Sequence, residues 1–243
     1  MISTDGINWT RTTQKTRALS KVIYAEGKFY AISPSNTELS RFVRSDDGLT
    51  WTATNSNSVT NNGDWGWDLI AHGGGRFVAI NSRTNNTAYS DDGYYWYNGG
   101  TVLPHSNWES IAYGDGKFVA IGSGYFGNPS PHKIAYSYDG YTWYTKADPT
   151  QDPNTPGQQI GSRWGTMAYG RDKFIVIASS DSPQVMYSSD GINWTTAPPI
   201  HDHSNTENYR LEHMVFDGEK FVAVGSQDND DEHVAVSYTG IPL

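Results

Sequence analysis

No cysteine occurs anywhere in this chain, which excludes disulfide bridges and thiolate metal sites. Basic residues are also few: 17 Lys and Arg, scattered along the chain, stand against 26 Asp and Glu, and the formal net charge is −9. Binding to the polyanionic backbone of nucleic acid is therefore not expected. No segment approaches the roughly 18 consecutive apolar residues of a membrane span, and residues 1–5 lack the basic and apolar regions of a signal peptide. We expect neither membrane insertion nor a signal peptide in this chain.

Helical periodicity is absent as well, since no window sustains apolar residues at i, i+3, i+4 and i+7. The chain instead has short segments rich in Val, Ile, Tyr, Phe and Trp, separated by Gly, Asn, Asp and Ser. This pattern is typical of strands joined by turns, and it predicts an all-β protein.

Two motifs repeat along the chain. The first, Ser-x-Asp-Gly-x-x-Trp, occurs five times, beginning at Ser3, Ser45, Ser90, Ser137 and Ser188. The second, in which a basic residue precedes Phe and an apolar run, also occurs five times, at Phe29, Phe77, Phe118, Phe174 and Phe221. Repeats of about 40 to 50 residues are typical of propellers, solenoids and arrays.

Each repeat accommodates four strands. In the third repeat the pattern predicts strands over 110–113, 117–121, 133–137 and 141–144. Four-stranded repeats of this length predict a five-bladed β-propeller with four antiparallel strands in each blade. We expect one domain, 1–243, with blades near 17–53, 66–98, 108–145, 164–196 and 211–243 plus 1–11.

The last repeat lacks its fourth strand, and the chain begins with one. A sixth, broken copy of the first motif starts at Ser237 and reaches Leu243 without a tryptophan. An open ring would leave an unpaired sheet edge. We therefore predict that residues 7–10 pair with residues 234–237, so that the N-terminal strand completes the C-terminal blade and closes the ring. The alternative is that the chain is a fragment of a longer array.

The first motif resembles the Asp box, Ser-x-Asp-x-Gly-x-Thr-Trp, of bacterial sialidases and related propellers. Ser45, Asp47, Thr50 and Trp51 match it, as do their counterparts in the fourth copy, although the glycine lies one residue early in all five copies. The chain is identified as an Asp-box-like propeller, similar to those of phage virion and bacterial surface proteins. In such propellers the Asp box is a structural turn on the face away from the ligand site. The resemblance therefore implies a structural role for Asp5, Asp47, Asp92, Asp139 and Asp190.

Candidate binding residues lie on the loops that differ between repeats. The tight turns share one end of the strands, so the variable loops share the other, and binding residues concentrate on such loops. Aromatic residues enter the innermost strands there, followed by three carboxylates that we expect at the mouth of a central channel. Flat rings flanked by polar groups suit sugars, although tryptophans between blades often only pack. The candidates are Trp65, the first choice, Trp67, Asp68, Trp108, Glu109, Arg163, Trp164, Arg210 and Glu212.

These observations favour a non-enzymatic binding propeller that recognises carbohydrate or a host or partner surface. We expect it in a phage virion or tail-associated protein, on a virion or extracellular surface after assembly or release. A purely structural interaction scaffold is the alternative. A sialidase-like glycosidase fits less well, because the Arg-Ile-Pro motif is absent and only Arg163 and Arg210 stand where such enzymes have three arginines. We predict no catalytic residue, metal site or cofactor, and we interpret the acidic run at 228–232 as a solvated loop.

Overall fold

The computed structural model describes residues 3, 7–8, 10, 19–34, 41–56, 59, 66–100, 103–104, 107–123, 132–147, 164–178, 185–197, 209–227 and 233–238. These residues form strands, turns and bends without a helix, which confirms the prediction of an all-β protein. Nowhere in these ranges does a helix long and apolar enough to cross a membrane occur.

The chain divides into two compact units, unit 1 (residues 1–102) and unit 2 (residues 103–243). The described part of unit 1 forms two four-stranded antiparallel sheets, and that of unit 2 forms two four-stranded sheets and one three-stranded sheet. Within each sheet, strands that follow one another in the chain pair with one another. A single domain over 1–243 stays a prediction.

The strands of unit 1 are short. The first sheet consists of β1 (Lys21–Ala25), β2 (Lys28–Ile32), β3 (Phe42–Ser45) and β4 (Thr52–Ala53). The second sheet consists of β5 (Leu69–Gly73), β6 (Arg76–Ile80), β7 (Thr87–Ser90) and β8 (Tyr97–Asn98).

The strands of unit 2 are longer on average. The third sheet consists of β9 (Asn107–Gly114), β10 (Lys117–Ser123), β11 (His132–Ser137) and β12 (Tyr144–Ala147). The fourth sheet consists of β13 (Trp164–Gly170), β14 (Lys173–Ala178), β15 (Val185–Ser188) and β16 (Thr195–Ala197). The fifth sheet consists of β17 (Tyr209–Phe216), β18 (Phe221–Gln227) and β19 (His233–Tyr238).

The turn between third and fourth strands is built around one aspartate in each four-stranded sheet. A single carboxylate oxygen accepts the backbone N–H groups two and three residues further on, at 2.7–2.8 Å. The preceding serine hydroxyl donates to the same oxygen, at 2.9–3.1 Å. The aspartates that hold these turns are Asp47, Asp92, Asp139 and Asp190.

Two of the glycines that follow these aspartates have two reasons to be glycine. Gly93 and Gly191 have φ of +65° and +68°, the left-handed region that the sequence predicts. Each also lies against the preceding sheet of its unit. A Cβ on Gly93 would come 2.2 Å from the Tyr30 ring, and one on Gly191 would come 2.5 Å from Val119 Cγ2. The turn therefore locks the strands of its own sheet and also fits its neighbour.

The predicted fourth strand of the third repeat is wrong in its position. We expected it over 141–144, whereas β12 begins at Tyr144 and ends at Ala147. The backbone N–H groups of Tyr141 and Thr142 donate to the Asp139 carboxylate, so they do not join the strand ladder. The turn takes up these residues, and the strand begins after the motif tryptophan.

The core of unit 1 lies between its two sheets. The first sheet contributes Tyr30, Ile32 and Phe42, and the second contributes Ile70, Phe77 and the motif tryptophan Trp96. The Phe42 and Trp96 rings stack with centroids 3.8 Å apart and planes 12° apart. The segment after β4 adds backbone hydrogen bonds, because Asn55 N donates to Tyr94 O and Trp96 N donates to Asn55 O, both at 2.9 Å.

Unit 2 repeats this arrangement twice. Val119 and Ile121 of the third sheet meet Met167, Phe174 and Trp194 of the fourth. On its other side, the fourth sheet places Ile175 and Ile177 against buried side chains of the fifth: Leu211, Met214 and Phe221. In each pair, the sheet that comes earlier in the chain contributes the face that contains Ile32 or its counterpart, which we call the trailing face. The later sheet contributes the face that contains Ile70 or its counterpart, which we call the leading face.

The leading face of the first sheet and the trailing face of the fifth sheet are apolar and exposed. Val22, on the leading face of the first sheet, is 58% exposed, whereas its counterpart Ile70 is 5% exposed. Val224, on the trailing face of the fifth sheet, is 44% exposed, whereas its counterpart Ile177 is fully buried. Among the described strands, no sheet of the same unit covers either of these apolar faces.

Residues 7–10 fall only partly within the described chain. Ile7 and Asn8 lie in a bend, Thr10 forms an isolated bridge, and Trp9 lies outside the described residues. The completion of the fifth sheet by this segment stays a prediction.

The turn aspartates predict a specific effect of mutation and pH. The pKa of Asp190 is about 2, below its usual 3.8: partial burial raises it, but the amides of Asn193 and Ile192 lower it more. Asp190→Ala should therefore reduce the free energy of unfolding at pH 7 by about 1 kcal/mol or more. Because the folded-state pKa is the lower one, this contribution is complete above the unfolded pKa and is lost as pH falls towards 2.

Urea denaturation of both proteins between pH 7 and pH 2 measures this effect. The two unfolding free energies should converge as the carboxyl groups become protonated. A difference that stays constant down to pH 2 would show that the carboxylate is not what stabilises the turn. Asp46→Ala, at an exposed position of another copy of the motif, is the control.

Candidate functional site

The innermost strand of each sheet starts at the end opposite the aspartate turns. A shared backbone irregularity lies near this start. In β9, Ser110 pairs with Ile121 and Trp108 pairs with Gly122, so Glu109 is an extra residue. Gly165 and Glu212 are extra in the same way in β13 and β17. These are β-bulges, which locally redirect the side chains around them and often occur next to functional sites.

Unit 1 has the same feature just before its innermost strands. Ser20 N donates to Ile32 O at 2.9 Å, and Ile32 is already the partner of Lys21. Asp68 N likewise points to Ile80 O, at 3.4 Å, and Ile80 is the partner of Leu69. The five bulge positions are Ser20, Asp68, Glu109, Gly165 and Glu212.

The bulge explains why three predicted ligand-contacting tryptophans are core residues. An extra residue shifts the alternation of the strand, so Trp164 joins Met167 on the leading face of the fourth sheet. Trp67 joins Ile70 in the same way. Trp67, Trp108 and Trp164 are all buried, and their ring faces are not available to a ligand. The prediction that these three tryptophans bind ligand is corrected on this point.

Asp68 is engaged within its own sheet. Its carboxylate accepts the Ser82 backbone N–H at 2.9 Å and the Ser82 hydroxyl. Burial raises the pKa of Asp68, and the two bonds from Ser82 oppose that rise. The Asp68 side chain therefore braces the loop between β6 and β7, and this occupies acceptor positions that a ligand would otherwise use.

The same loop is braced a second time by Asn81, a residue that the sequence reasoning did not single out. Its Nδ2 donates to Gly66 O at 2.7 Å, and its Oδ1 accepts the N–H groups of Arg83 and Thr84 at 3.0 and 2.9 Å. The sequence does contain a signal for this turn in the run Asn81-Ser-Arg-Thr-Asn-Asn, because Asn and Ser side chains often hydrogen-bond to the backbone of turns. The loop is thus fixed before any ligand arrives.

The remaining candidates differ in their exposure. Glu212 is exposed at its bulge in the fifth sheet, and Glu109 is half-buried at the equivalent place in the third. Between them in the series, Gly165 has no side chain to fill the corresponding position of the fourth sheet. Trp65 and Arg163 lie outside the described residues, as does the side chain of Arg210, whose backbone belongs to β17.

This end of unit 2 therefore offers carboxylate acceptors on two sheets, around a position without a side chain. Such acceptors suit sugar hydroxyls or cationic groups of a partner. Within the described ranges, no three His, Asp or Glu side chains come together in a way that would hold a metal ion.

Comparison with known proteins informs the fold. No protein-family model matches the chain, and no curated protein matches it. Among solved structures, YCF48 bound to D1 peptide aligns with 91% of this chain at 12% identity, with a TM-score of 0.56. A catalytically inactive virginiamycin B lyase from Staphylococcus aureus, with quinupristin, aligns with 88% of the chain at 13% identity, with a TM-score of 0.63.

Both of these structures are β-propellers, and this chain spans 66% and 64% of their respective lengths. At such low identity the likeness informs the fold and not the activity. The chain has a β-propeller fold, as its repeats predict.

The bulge predicts a large loss of stability for substitution of the buried tryptophan and a small one for substitution of an exposed bulge residue. Trp108→Ala removes a buried side chain and should lower the free energy of unfolding by about 3–5 kcal/mol. Glu212→Gln, at an exposed bulge position, should change it by less than about 0.5 kcal/mol. Chemical denaturation of both variants measures this, and equal effects would contradict the assignment of the tryptophan to the core.

Proposed function

We propose that this chain is a non-enzymatic binding propeller that recognises carbohydrate, or a host or partner surface, through its variable-loop face. The supporting observation is the difference between the two ends of the sheets. At one end the aspartate turns have the same hydrogen bonds in four sheets. At the other end the bulge positions share a backbone geometry but carry different side chains, which is the arrangement expected of a binding face on a rigid scaffold.

Glu109 and Glu212 are the described candidates for ligand contact on this face. Trp65, Arg163 and Arg210 remain candidates from the sequence, and Asp68 is a residue that shapes its loop. The resemblance to Asp-box-like propellers supports placement in a phage virion or tail-associated protein, on a virion or extracellular surface. We assign the turn aspartates, Asp5 included, a structural role.

The finer form of the fold is part of this proposal. We propose five blades in one ring, in which residues 7–10 supply the fourth strand of the fifth sheet. The apolar faces marked by Val22 and Val224 support a ring, because every counterpart in the unit interiors is covered by a neighbouring sheet. In the described part of the fifth sheet β19 is the edge strand, and pairing with residues 7–10 would place its backbone groups in a ladder.

Deletion of residues 1–11 tests this closure. Loss of the strand should lower the free energy of unfolding by several kcal/mol, on the order of one strand's packing and pairing. Urea denaturation gives the stability, and size-exclusion chromatography with light scattering gives the mass. Unchanged stability would contradict closure, and so would pairing of the segment with another copy in the full-length protein.

A structural interaction scaffold is the second candidate function. The solved structure of YCF48 with a bound peptide supports it, since it shows a similar fold in contact with a peptide. A sialidase-like glycosidase is the less favoured alternative, because the sequence lacks Arg-Ile-Pro and the third arginine.

A glycan array with the purified protein tests the proposed function. We expect specific binding that Glu212→Gln weakens about tenfold to a hundredfold, because a lost charged hydrogen bond is worth about 1.5–3 kcal/mol. Glu219→Gln makes the same charge change at the opposite end of the fifth sheet and should leave binding unchanged. Absence of binding to any glycan would favour the scaffold, and turnover of a fluorogenic sialoside would favour the glycosidase.

A further inference from the structure

Three tyrosines of the third sheet form an aromatic surface at its outer strands. Tyr136 of β11 pairs with Tyr144 of β12, and their rings lie 5.5 Å apart with planes at 26°. Tyr138 meets Tyr136 edge-on, with centroids 5.9 Å apart. Tyr136 packs on the core that contains Trp194, while Tyr138 and Tyr144 are 59% and 50% exposed. The half-buried Tyr136 ring thus contacts both exposed rings.

Polar groups of the third and fourth sheets border this aromatic surface. Lys146 lies two residues after Tyr144, on the same face of β12. Its Nζ donates to Asn193 Oδ1 of the fourth sheet at 3.0 Å, and Asn193 Nδ2 donates to Asp190 Oδ2 at 2.7 Å. We call Tyr136, Tyr138, Tyr144, Lys146 and Asn193 the rim groove.

The chemistry of the rim groove differs from that of an aliphatic patch. Exposed tyrosine rings offer flat apolar faces with a hydroxyl at the edge, and apolar sugar faces stack on such rings. The Lys146 ammonium has three N–H groups, and the bond to Asn193 uses one of them. The remaining donors and the positive charge complement a carboxylate, and a charge-assisted hydrogen bond is stronger than a neutral one.

We propose that the rim groove is a second binding site, for an acidic carbohydrate whose ring stacks on Tyr144 and whose carboxylate meets Lys146. Tyr138, which stands edge-on to Tyr136, borders the site. This inference rests on the proposed carbohydrate function but uses a different surface from the bulge positions. The two sites belong to different strands, since the bulges begin the innermost strands and the groove lies on the outermost ones.

Titration calorimetry with an α-1,4-linked hexagalacturonate tests this site, and the methyl-esterified hexamer is the uncharged match. The free acid should bind, and esterification should weaken binding about tenfold or more. Tyr144→Ala and Lys146→Met should each weaken binding of the acid about tenfold, and Lys146→Met should remove the preference over the ester. Tyr144→Phe should retain binding, because the ring face remains.

Tyr97→Ala is the matched control, since Tyr97 is a similarly exposed outer-strand tyrosine that packs on Tyr89 in unit 1. It should leave binding unchanged, and melting curves should show that every one of these variants remains folded at the temperature of the titration. Absence of hexagalacturonate binding, or equal binding of acid and ester, would overturn the rim groove as a site for acidic sugar. Binding that Glu212→Gln abolishes and Tyr144→Ala spares would overturn the groove alone and support the variable-loop face.

Discussion

In each aspartate turn, two backbone N–H groups donate hydrogen bonds to one carboxylate oxygen. The strands, the turns and the packing between sheets depend on these bonds. In each four-stranded sheet, an aspartate receives the N–H groups that follow it, and a buried serine hydroxyl fixes the same oxygen. These amides point away from the strand ladder, so the carboxylate supplies the acceptor that the sheet does not. The turn then delivers the motif tryptophan to the neighbouring sheet, where Trp96 and Trp194 enter the inter-sheet cores. One local constraint thereby sets the strand length, the turn and the packing between sheets.

The second recurrent device is the bulge at the start of the innermost strand. Without it, strict alternation would send Trp164 to the face opposite Met167. With the bulge, the aromatic residue enters the core. The residue that follows it lies at the end of the sheet, where Glu212 is exposed. The same backbone irregularity thus stabilises the blade and leaves a position where the chain can vary its chemistry, which is the physical basis for placing recognition there.

The repeats in the sequence were sufficient to predict the strands, the tight turns and the propeller fold. The glycine after each turn aspartate was also predictable, because a left-handed residue is needed there, but its contact with Tyr30 or Val119 depends on the neighbouring sheet. The start of β12 was misplaced because the sequence does not show that Asp139 captures the amides of Tyr141 and Thr142. The buried tryptophans were misread because a bulge has no signature in the alternation of apolar residues. Contacts between sheets decide burial, and these are not visible in the pattern of a single strand.

Amide hydrogen exchange resolved to single residues tests the central constraint most directly. The amides of Leu49, Thr50, Tyr94, Tyr95, Tyr141, Thr142, Ile192 and Asn193 belong to turns, and most of these residues are exposed to solvent. If the carboxylates hold them, they should exchange as slowly as amides of the adjoining strands. Exchange at the rates of an unprotected turn, while the strand amides stay protected, would contradict the account, because the sheets would then persist without the bonds on which we argue that they depend.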